Sequence, residues 1–123
     1  MTDDEEIPPG LAKMNEVYGW ESPDLPGEFF RITRDHLFGE IWTRPGLSTE
    51  QRRMMIIGLA IASGKPDILE IQLDAACRLG ELDAAALREI VIFMAHYAGW
   101  PAVAGLVPVV EKLIARHEGK PDA

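Results

Sequence analysis

Apolar residues recur at helical spacing along nearly the whole chain. Across residues 29–42 they stand at Phe30, Leu37, Phe38 and Ile41, which form one stripe of a helix. No segment shows the strict alternation of apolar and polar residues, bounded by turn residues, that is typical of a half-buried strand. The pattern therefore predicts an all-α domain.

Turn residues divide this pattern into about six short helices. Glycine is typical just after the last turn of a helix, because that residue often takes a left-handed conformation. Glycine occupies this place at positions 19, 64, 80 and 99. The predicted helices cover residues 8–18, 29–42, 49–63, 66–79, 84–97 and 101–116.

Capping residues and prolines define several helix ends. Ser48 and Gln51 have the spacing of a capping box, in which each side chain serves the backbone N–H of the other residue. Asp83 is typical of an N-cap. The second helix must end before Pro45, because a proline pushes the preceding residue out of the α conformation. Pro108 removes one backbone donor from the last segment and predicts a kink there.

The third helix is apolar on nearly all sides after Arg53, which predicts a central helix surrounded by the rest of the protein. In the fourth helix, Gln72 shares a side with Ile68, Ile71 and Leu79 and is expected to point inward. Together the helices carry more apolar surface than a single small domain usually hides. We therefore expect part of this surface to meet another subunit.

Length and charge limit the kinds of protein this can be. A chain of 123 residues with 47% hydrophobic and 26% charged residues predicts one folded domain over residues 1–123. The net charge of −8 argues against nucleic acid, which needs a basic face. Much of that charge lies in the DDEE run of an acidic tail, residues 1–8, which we expect to be flexible, and residues 118–123 are expected to fray.

Targeting and metal-binding signals are not visible in the sequence. The N-terminus lacks the basic and apolar regions of a secretory signal, and the longest apolar run, residues 54–62, is too short for the roughly 20 residues of a membrane span. A cytoplasmic protein without a membrane partner is expected. The single cysteine, Cys77, has no neighbours at metal-ligand spacing, so we predict a core position for it and no metal site.

Three motifs carry a resemblance to a known family. They are FGEIWTRPGLS at residues 38–48, A-A-x-x-x-G at 75–80 and HYAGWPA at 96–102. The chain resembles the carboxymuconolactone decarboxylase family of the alkylhydroperoxidase-D-like superfamily. The resemblance implies a compact all-helical bundle that forms homotrimers or homohexamers, with pockets near the subunit interfaces. It also implies a small-molecule carboxylate substrate and no cofactor.

The chain departs from the motifs of both branches of that superfamily. The redox branch has a C-x-x-C pair followed by a histidine, and the matching positions here are Lys65, Ile68 and Gln72. Both thiols of that pair are needed for the peroxidase cycle. The decarboxylase branch usually has histidines at the positions of Gln72 and Phe93. Because glutamine cannot carry a proton at neutral pH, the acid–base role of that histidine does not transfer to Gln72.

Decarboxylation of an unsaturated lactone acid needs a group that holds a carboxylate and a group that delivers a proton. Arg44 is the predicted anchor, because a guanidinium offers a planar bidentate fork. The alternative for Arg44 is a structural role, either holding the turn at Pro45 and Gly46 or forming a surface pair with Glu40, four residues earlier. His96 is the predicted proton carrier, assisted by Glu40 or Glu70. The predicted substrate-binding residues are Arg44, Trp42, Gln72, Tyr97, Trp100 and His36.

The sequence thus leads to one function and two alternatives. The first is a cofactor-free lyase or isomerase that acts on a small carboxylated lactone or related cyclic acid. The second is a non-catalytic subunit of a homo-oligomer that binds small acids or serves a structural role. The third is an alkylhydroperoxidase-like antioxidant with peroxiredoxin activity, for which Cys77 is the only available thiol.

Overall fold

The computed structural model describes residues 7–119, and within this range the chain is helical and contains no strand. The prediction of an all-α protein is confirmed. Of the two predicted tails, residues 1–6 and 120–123 lie outside the described residues. The elements are α1 (Pro9–Tyr18), α2 (Glu28–Ile32), a π-helical segment (Thr33–Ile41), α3 (Thr49–Ala62), α4 (Pro66–Arg78), α5 (Ala84–Ala98), α6 (Trp100–Ala104) and α7 (Val107–His117).

Two compact units are present, one up to Arg52 and one from Arg53 onward, and each is described by itself. The predicted caps are confirmed in both. The Gln51 N–H donates to Ser48 Oγ at 3.0 Å, and the Ser48 N–H donates to Gln51 Oε1 at 2.9 Å. The Asp83 carboxylate accepts from the backbone N–H three residues on. The four glycines predicted to end helices have positive φ angles, at positions 19, 64, 80 and 99.

The segment before Pro45 differs from the regular helix that the sequence predicts. Its backbone follows a wider π-helical course, in which the Trp42 N–H donates to the Leu37 carbonyl five residues back at 2.9 Å. The wider turn breaks the predicted stripe, because Phe38 is buried whereas Leu37 and Ile41 are exposed. The prediction of one continuous apolar face there was therefore wrong.

Close backbone contact between α1 and the π-helical segment distinguishes the first unit. A Cβ atom placed on Gly10 would lie only 1.8 Å from the Arg34 carbonyl oxygen. Gly39 lies on the same crossing, with the Gly10 Cα 3.6 Å from the place where its own Cβ would be. The two elements can approach this closely only because Gly10 carries no side chain, whereas a Cβ on Gly39 would make ordinary contacts.

Aromatic rings complete the core of the first unit. Tyr18 stacks on Trp20, and its ring centroid also lies 5.7 Å from that of Phe38. Phe38 in turn stacks on Trp42 with an interplanar angle of 12°. Offset and tilted pairs at such distances add to the stabilisation from apolar burial.

The second unit has an aliphatic core built from α3, α4, α5, α6 and α7. Two expectations about these helices were wrong. The last helix is not kinked but divided into α6 and α7, with Pro108 in the first turn of α7, where its missing N–H costs no hydrogen bond. Helix α3 is not surrounded on all sides within the chain, since Met54, Met55 and Leu59 are exposed, Leu59 by 62%.

The crossing at Gly10 leads to a test of stability. Gly10→Ala should lower the free energy of unfolding by about 2 kcal/mol, because the new methyl group overlaps the Arg34 carbonyl and the helices must separate. Gly58→Ala is the matched control within α3, where the new Cβ would meet only the Met94 methyl at 3.9 Å. That control should gain about 0.5–1 kcal/mol from helix propensity. Urea denaturation of both variants measures the difference, and a neutral Gly10→Ala would contradict the close approach.

Candidate functional site

The predicted site residues of the first unit lie around the end of the π-helical segment. His36 Nδ1 and Glu40 Oε1 are 2.6 Å apart, and both side chains are exposed. Glu40 is therefore paired with His36, and the alternative pairing of Glu40 with Arg44 is not formed. Arg44 is exposed, and its side chain has no hydrogen bond or ion pair with any residue between 7 and 119.

Trp42 occupies a different environment from its neighbour Arg44. Its ring is buried and stacks on Phe38 with a centroid distance of 5.8 Å. Its carbonyl accepts a hydrogen bond from Arg52 at 3.2 Å. In the first unit, Trp42 thus packs in the aromatic core, as the ordinary structural interpretation of a tryptophan at this position predicts.

Gln72 of the second unit points inward, as predicted, and contacts a buried arginine that the sequence analysis did not single out. Arg53 is only 1% exposed, and its Nη1 donates to Gln72 Oε1 at 2.9 Å. Its Nε and Nη2 donate to the two carboxylate oxygens of Glu81 at 2.6 and 3.2 Å. All three nitrogens of the guanidinium are therefore engaged by side chains of the same unit.

The Arg53 cluster joins α3, α4 and the connection between α4 and α5. A buried guanidinium is tolerated only with a counter-charge and satisfied donors. Because Glu81 already occupies the fork of Arg53, this arginine does not offer a bidentate edge to a ligand. Arg53 is the last charged residue before a run of nine apolar residues, and this was the one signal of its burial in the sequence.

Glu70 lies on an exposed part of α4. Its carboxylate is 3.7 Å from the Arg116 guanidinium on α7, and both side chains are about half exposed. Such a pair at the surface has a small effect on stability, because water screens both charges. Glu70 and His96 are on different helices of the second unit, and neither has a hydrogen bond to the other.

His96 near the C-terminal end of α5 has a defined proton arrangement. Its Nδ1 lies 2.8 Å from the Ile92 carbonyl oxygen. Because a carbonyl oxygen only accepts, Nδ1 must carry a proton, and the lone pair of the neutral ring is on Nε2. The edge-to-face contact with Trp100, at a centroid distance of 5.6 Å, further restricts the ring. Nε2 of the exposed imidazole can therefore accept a proton, and only after doing so can it donate one.

Other aromatic residues around His96 are exposed. Tyr97 is 78% exposed and packs against Phe93 with a centroid distance of 5.1 Å. Trp100, at the first residue of α6, is exposed as well. This end of α5 presents an aromatic surface beside the imidazole, which suits contact with an apolar ligand or another protein chain.

A groove of about 390 Å³ lies between α3 and α5 in the second unit. Its walls are almost entirely apolar and include Met54, Ile57 and Phe93. Glu89 is the one charged side chain in its lining. A carboxylate ligand would meet a like charge there and no cation, so this groove is poorly suited to a small acid.

A second groove of about 250 Å³ lies between α5 and α7. Its apolar lining consists of Val91, Ile92, Val107 and Val110. At one end Arg88 donates to both carboxylate oxygens of Glu111, from Nε at 2.9 Å and from Nη2 at 2.8 Å. These hydrogen bonds raise the pKa of Arg88 and lower the pKa of Glu111, so both groups stay charged. The sequence analysis did not select Arg88, although it lies eight residues before His96.

Cys77 is half-buried in α4, and its environment favours the thiol over the thiolate. Burial raises its pKa, and the nearby charges of Asp74 and Asp83 raise it further. Reactive cysteines instead lie in electropositive surroundings that lower the pKa. Within residues 7–119 no group of three or more histidine, cysteine or acidic side chains is suited to hold a metal, and no helix could cross a membrane.

Removal of the counter-charge in the Arg53 cluster should have a large effect. Glu81→Gln leaves the buried guanidinium without a partner charge, and we expect the free energy of unfolding to fall by about 3 kcal/mol. Glu28→Gln is the matched control, because Glu28 also pairs with an arginine but in an exposed position. Urea denaturation should show no measurable change for this control. Equal stability of the two variants would show that Arg53 does not depend on the Glu81 charge.

Comparison with known proteins agrees with the motifs and the helical architecture. The model of the carboxymuconolactone decarboxylase family matches residues 27–112. The chain is 27% identical over 121 residues to a 4-carboxymuconolactone decarboxylase of Acinetobacter baylyi, which covers 92% of this chain and 90% of that protein. It is 30% identical over 90 residues to a nitrosuccinic acid decarboxylase of Metarhizium robertsii, which covers 72% of this chain and 60% of that protein.

The chain thus spans less than two thirds of the length of the Metarhizium robertsii protein. No solved structure matches the chain at a significant level of similarity. The family match covers well over half of the sequence and includes α2 to α6. This protein therefore belongs to the carboxymuconolactone decarboxylase family.

Proposed function

We propose that this protein is a lyase that removes carbon dioxide from a small carboxylated lactone or a related acid without a cofactor. Family membership and the two decarboxylases among its relatives support the reaction class. The single observation that carries the proposal is the fixed imidazole of His96, because its Nε2 is free to take up a proton from water and, as the imidazolium, to deliver that proton to the substrate carbon.

The chemistry of the proposed reaction requires little from the protein. The bond between the leaving carboxylate and the adjacent carbon breaks, and its electron pair moves into the conjugated carbonyl of the lactone, or into the nitro group of nitrosuccinate. A proton then adds to carbon, and carbon dioxide departs. Because the substrate itself accepts the electrons, the protein must hold the acid, stabilise the intermediate and supply the proton.

His96 is the proposed proton donor at Nε2, opposite the nitrogen that bonds to the Ile92 carbonyl. Glu40 and Glu70 are still proposed to assist His96 in proton transfer. Each pairs with another side chain, Glu40 with His36 and Glu70 with Arg116. An arginine is proposed to hold a carboxylate of the substrate, and Arg44 is the candidate from the sequence. The other proposed substrate contacts are Trp42, Gln72, Tyr97, Trp100 and His36.

Turnover measurements test this function directly. Carbon dioxide release from 4-carboxymuconolactone and from nitrosuccinate would be compared for the wild type and His96→Gln. We expect kcat to fall by about 100-fold in the variant, because glutamine cannot supply a proton. His117→Gln is the matched control, since His117 also sits near a helix C-terminus but bonds to Asp74. Its turnover should be unchanged.

Two outcomes would count against the proposal in different ways. Equal kcat for the wild type and His96→Gln would remove His96 as the proton donor. Binding of acids without carbon dioxide release, across a broad panel, would instead favour the non-catalytic alternative. The raised pKa of Cys77 gives no support to the thiol peroxidase alternative.

We further propose that the chain assembles into a homotrimer or homohexamer in the cytoplasm and acts in the breakdown of aromatic compounds. The exposed apolar side chains on α3, among them Met55 and Leu59, support self-association. Leu59→Glu should shift the mass measured by light scattering toward the monomer, because it places a charge in this apolar surface. A wild type that is monomeric at micromolar concentration would contradict the proposed assembly.

A further inference from the structure

We propose that the groove between α5 and α7 is the acid-binding site of the second unit, where Arg88 holds a carboxylate, and that His96, one turn of α5 beyond the groove residue Ile92, supplies the proton. This inference rests on the proposed function and names the anchor and the substrate class for it. It places the guanidinium and the imidazole on one helix. The anchor in the second unit is thus Arg88, which neither the sequence motifs nor the relatives indicate.

Helical spacing aligns the two groups. Arg88, Ile92 and His96 follow one another at intervals of four residues, so they lie on the same side of α5. Arg88 and Ile92 both line the groove, and His96 bonds to the Ile92 carbonyl. His96 is not part of the lining itself, but lies one turn of α5 beyond Ile92, on the side away from Arg88.

Helix α7 runs in the opposite direction along the same groove. Glu111 faces Arg88 across the groove, and Val107, four residues earlier in α7, lines the groove together with Ile92. Continuing in this direction leads to α6, where Trp100 contacts the His96 ring. A ligand in the groove would therefore have a cation at one end and aliphatic side chains along its length, with the imidazole one turn of α5 beyond Ile92.

The guanidinium of Arg88 has one edge that is fixed by Glu111 and a second edge that can bind a ligand. Glu111 accepts from Nε and Nη2, so the edge formed by Nη1 and the second Nη2 proton is unused by residues 7–119. The side chain is 52% exposed, so a ligand can reach that edge. Glu111 acts as a positioning residue, because it holds the planar fork in one orientation before a ligand arrives.

The size of the groove suits a small acid. Its volume of about 250 Å³ lies just below the roughly 300–1,000 Å³ of sites that hold drug-sized ligands. Its aliphatic walls favour a compact body without further polar groups.

The substrate class that fits best is a small dicarboxylic acid with an electron-accepting group beside the carboxylate that is lost. One carboxylate would stay bound at Arg88 and would remain in the product. The other would lie over the aliphatic lining, where the change from a charged carboxylate to neutral carbon dioxide is favoured. Its electron pair passes to the acceptor group of the substrate, and His96 Nε2 supplies the proton to carbon.

Steady-state kinetics and binding can test the assignment together. We expect Arg88→Met to raise KM for nitrosuccinate by about 10- to 100-fold, the effect of losing a charge-assisted bidentate contact. Because Arg88 holds a carboxylate that does not react, kcat should change by less than about 3-fold. Arg88→Lys should recover part of the loss in KM, since it restores the charge but not the fork.

Arg31→Met is the matched control. Arg31 has the same 52% side-chain exposure as Arg88 and also pairs with a glutamate, Glu28, but it lies in the first unit and is not in the lining of the groove between α5 and α7. This control should leave KM and kcat unchanged. Arg44→Met tests the competing assignment, in which Arg44 and not Arg88 holds the carboxylate, as the sequence motifs favour.

Binding of succinate, a diacid without an electron-accepting group, separates failure of the site from failure of the reaction. Weaker succinate binding to Arg88→Met but not to Arg31→Met, measured by NMR titration, supports the site even if no substrate is turned over. Unchanged succinate affinity and KM in Arg88→Met would overturn it. Loss of binding in Arg44→Met alone would also overturn it, while the proposed decarboxylation would stand.

Discussion

The buried guanidinium of Arg53 is the interaction on which the second unit depends. Arg53 is only 1% exposed, so the protein must replace the water that would otherwise hydrate its charge. Glu81 and Gln72 do so by accepting its hydrogen bonds. These partners come from the connection after α4 and from α4 itself. Helices α3 and α4 are thereby held in one register, and the start of α5 is fixed by the same carboxylate. An apolar contact could slide by a fraction of a turn, whereas this bidentate pair cannot do so without leaving a charge unpaired.

The same interaction decides what Gln72 can do. Its amide oxygen is occupied by Arg53, so the residue at the position where this family usually has a histidine is part of a structural cluster. It can orient neighbours, but it has no proton to exchange. In our proposal the proton therefore comes from another imidazole, that of His96 on α5, whose free nitrogen is determined by its bond to the Ile92 carbonyl. The proposed acid–base group thus stands on a different helix from Gln72.

Local signals in the sequence predicted the fold well, and signals that depend on distant contacts did not. Caps such as Asp83 and the glycine helix ends act within a few residues, and they were confirmed. The π-helical segment before Pro45 contains the Arg34 carbonyl that Gly10 approaches, and no local pattern records this contact between distant residues. The pair of Arg53 and Glu81 joins residues 28 positions apart. Candidate site residues could be selected by residue type, but their partners, such as His36 for Glu40, became visible only in the structure.

Three arginines show why residue type alone does not identify an anchor for a carboxylate. An anchor needs an orientation fixed in advance, an unused edge and access for the ligand. Arg53 is fixed but has neither access nor a free edge, because Glu81 and Gln72 occupy its nitrogens. Arg44 is accessible, but no side chain among the described residues fixes its fork. Arg88 alone of the three meets all the conditions, since Glu111 fixes one edge and leaves the other exposed beside an aliphatic groove. The Glu111 carboxylate balances the charge of Arg88, but it also fixes the orientation of the guanidinium. The unused edge of Arg88 is thereby ready to bind the carboxylate of a ligand.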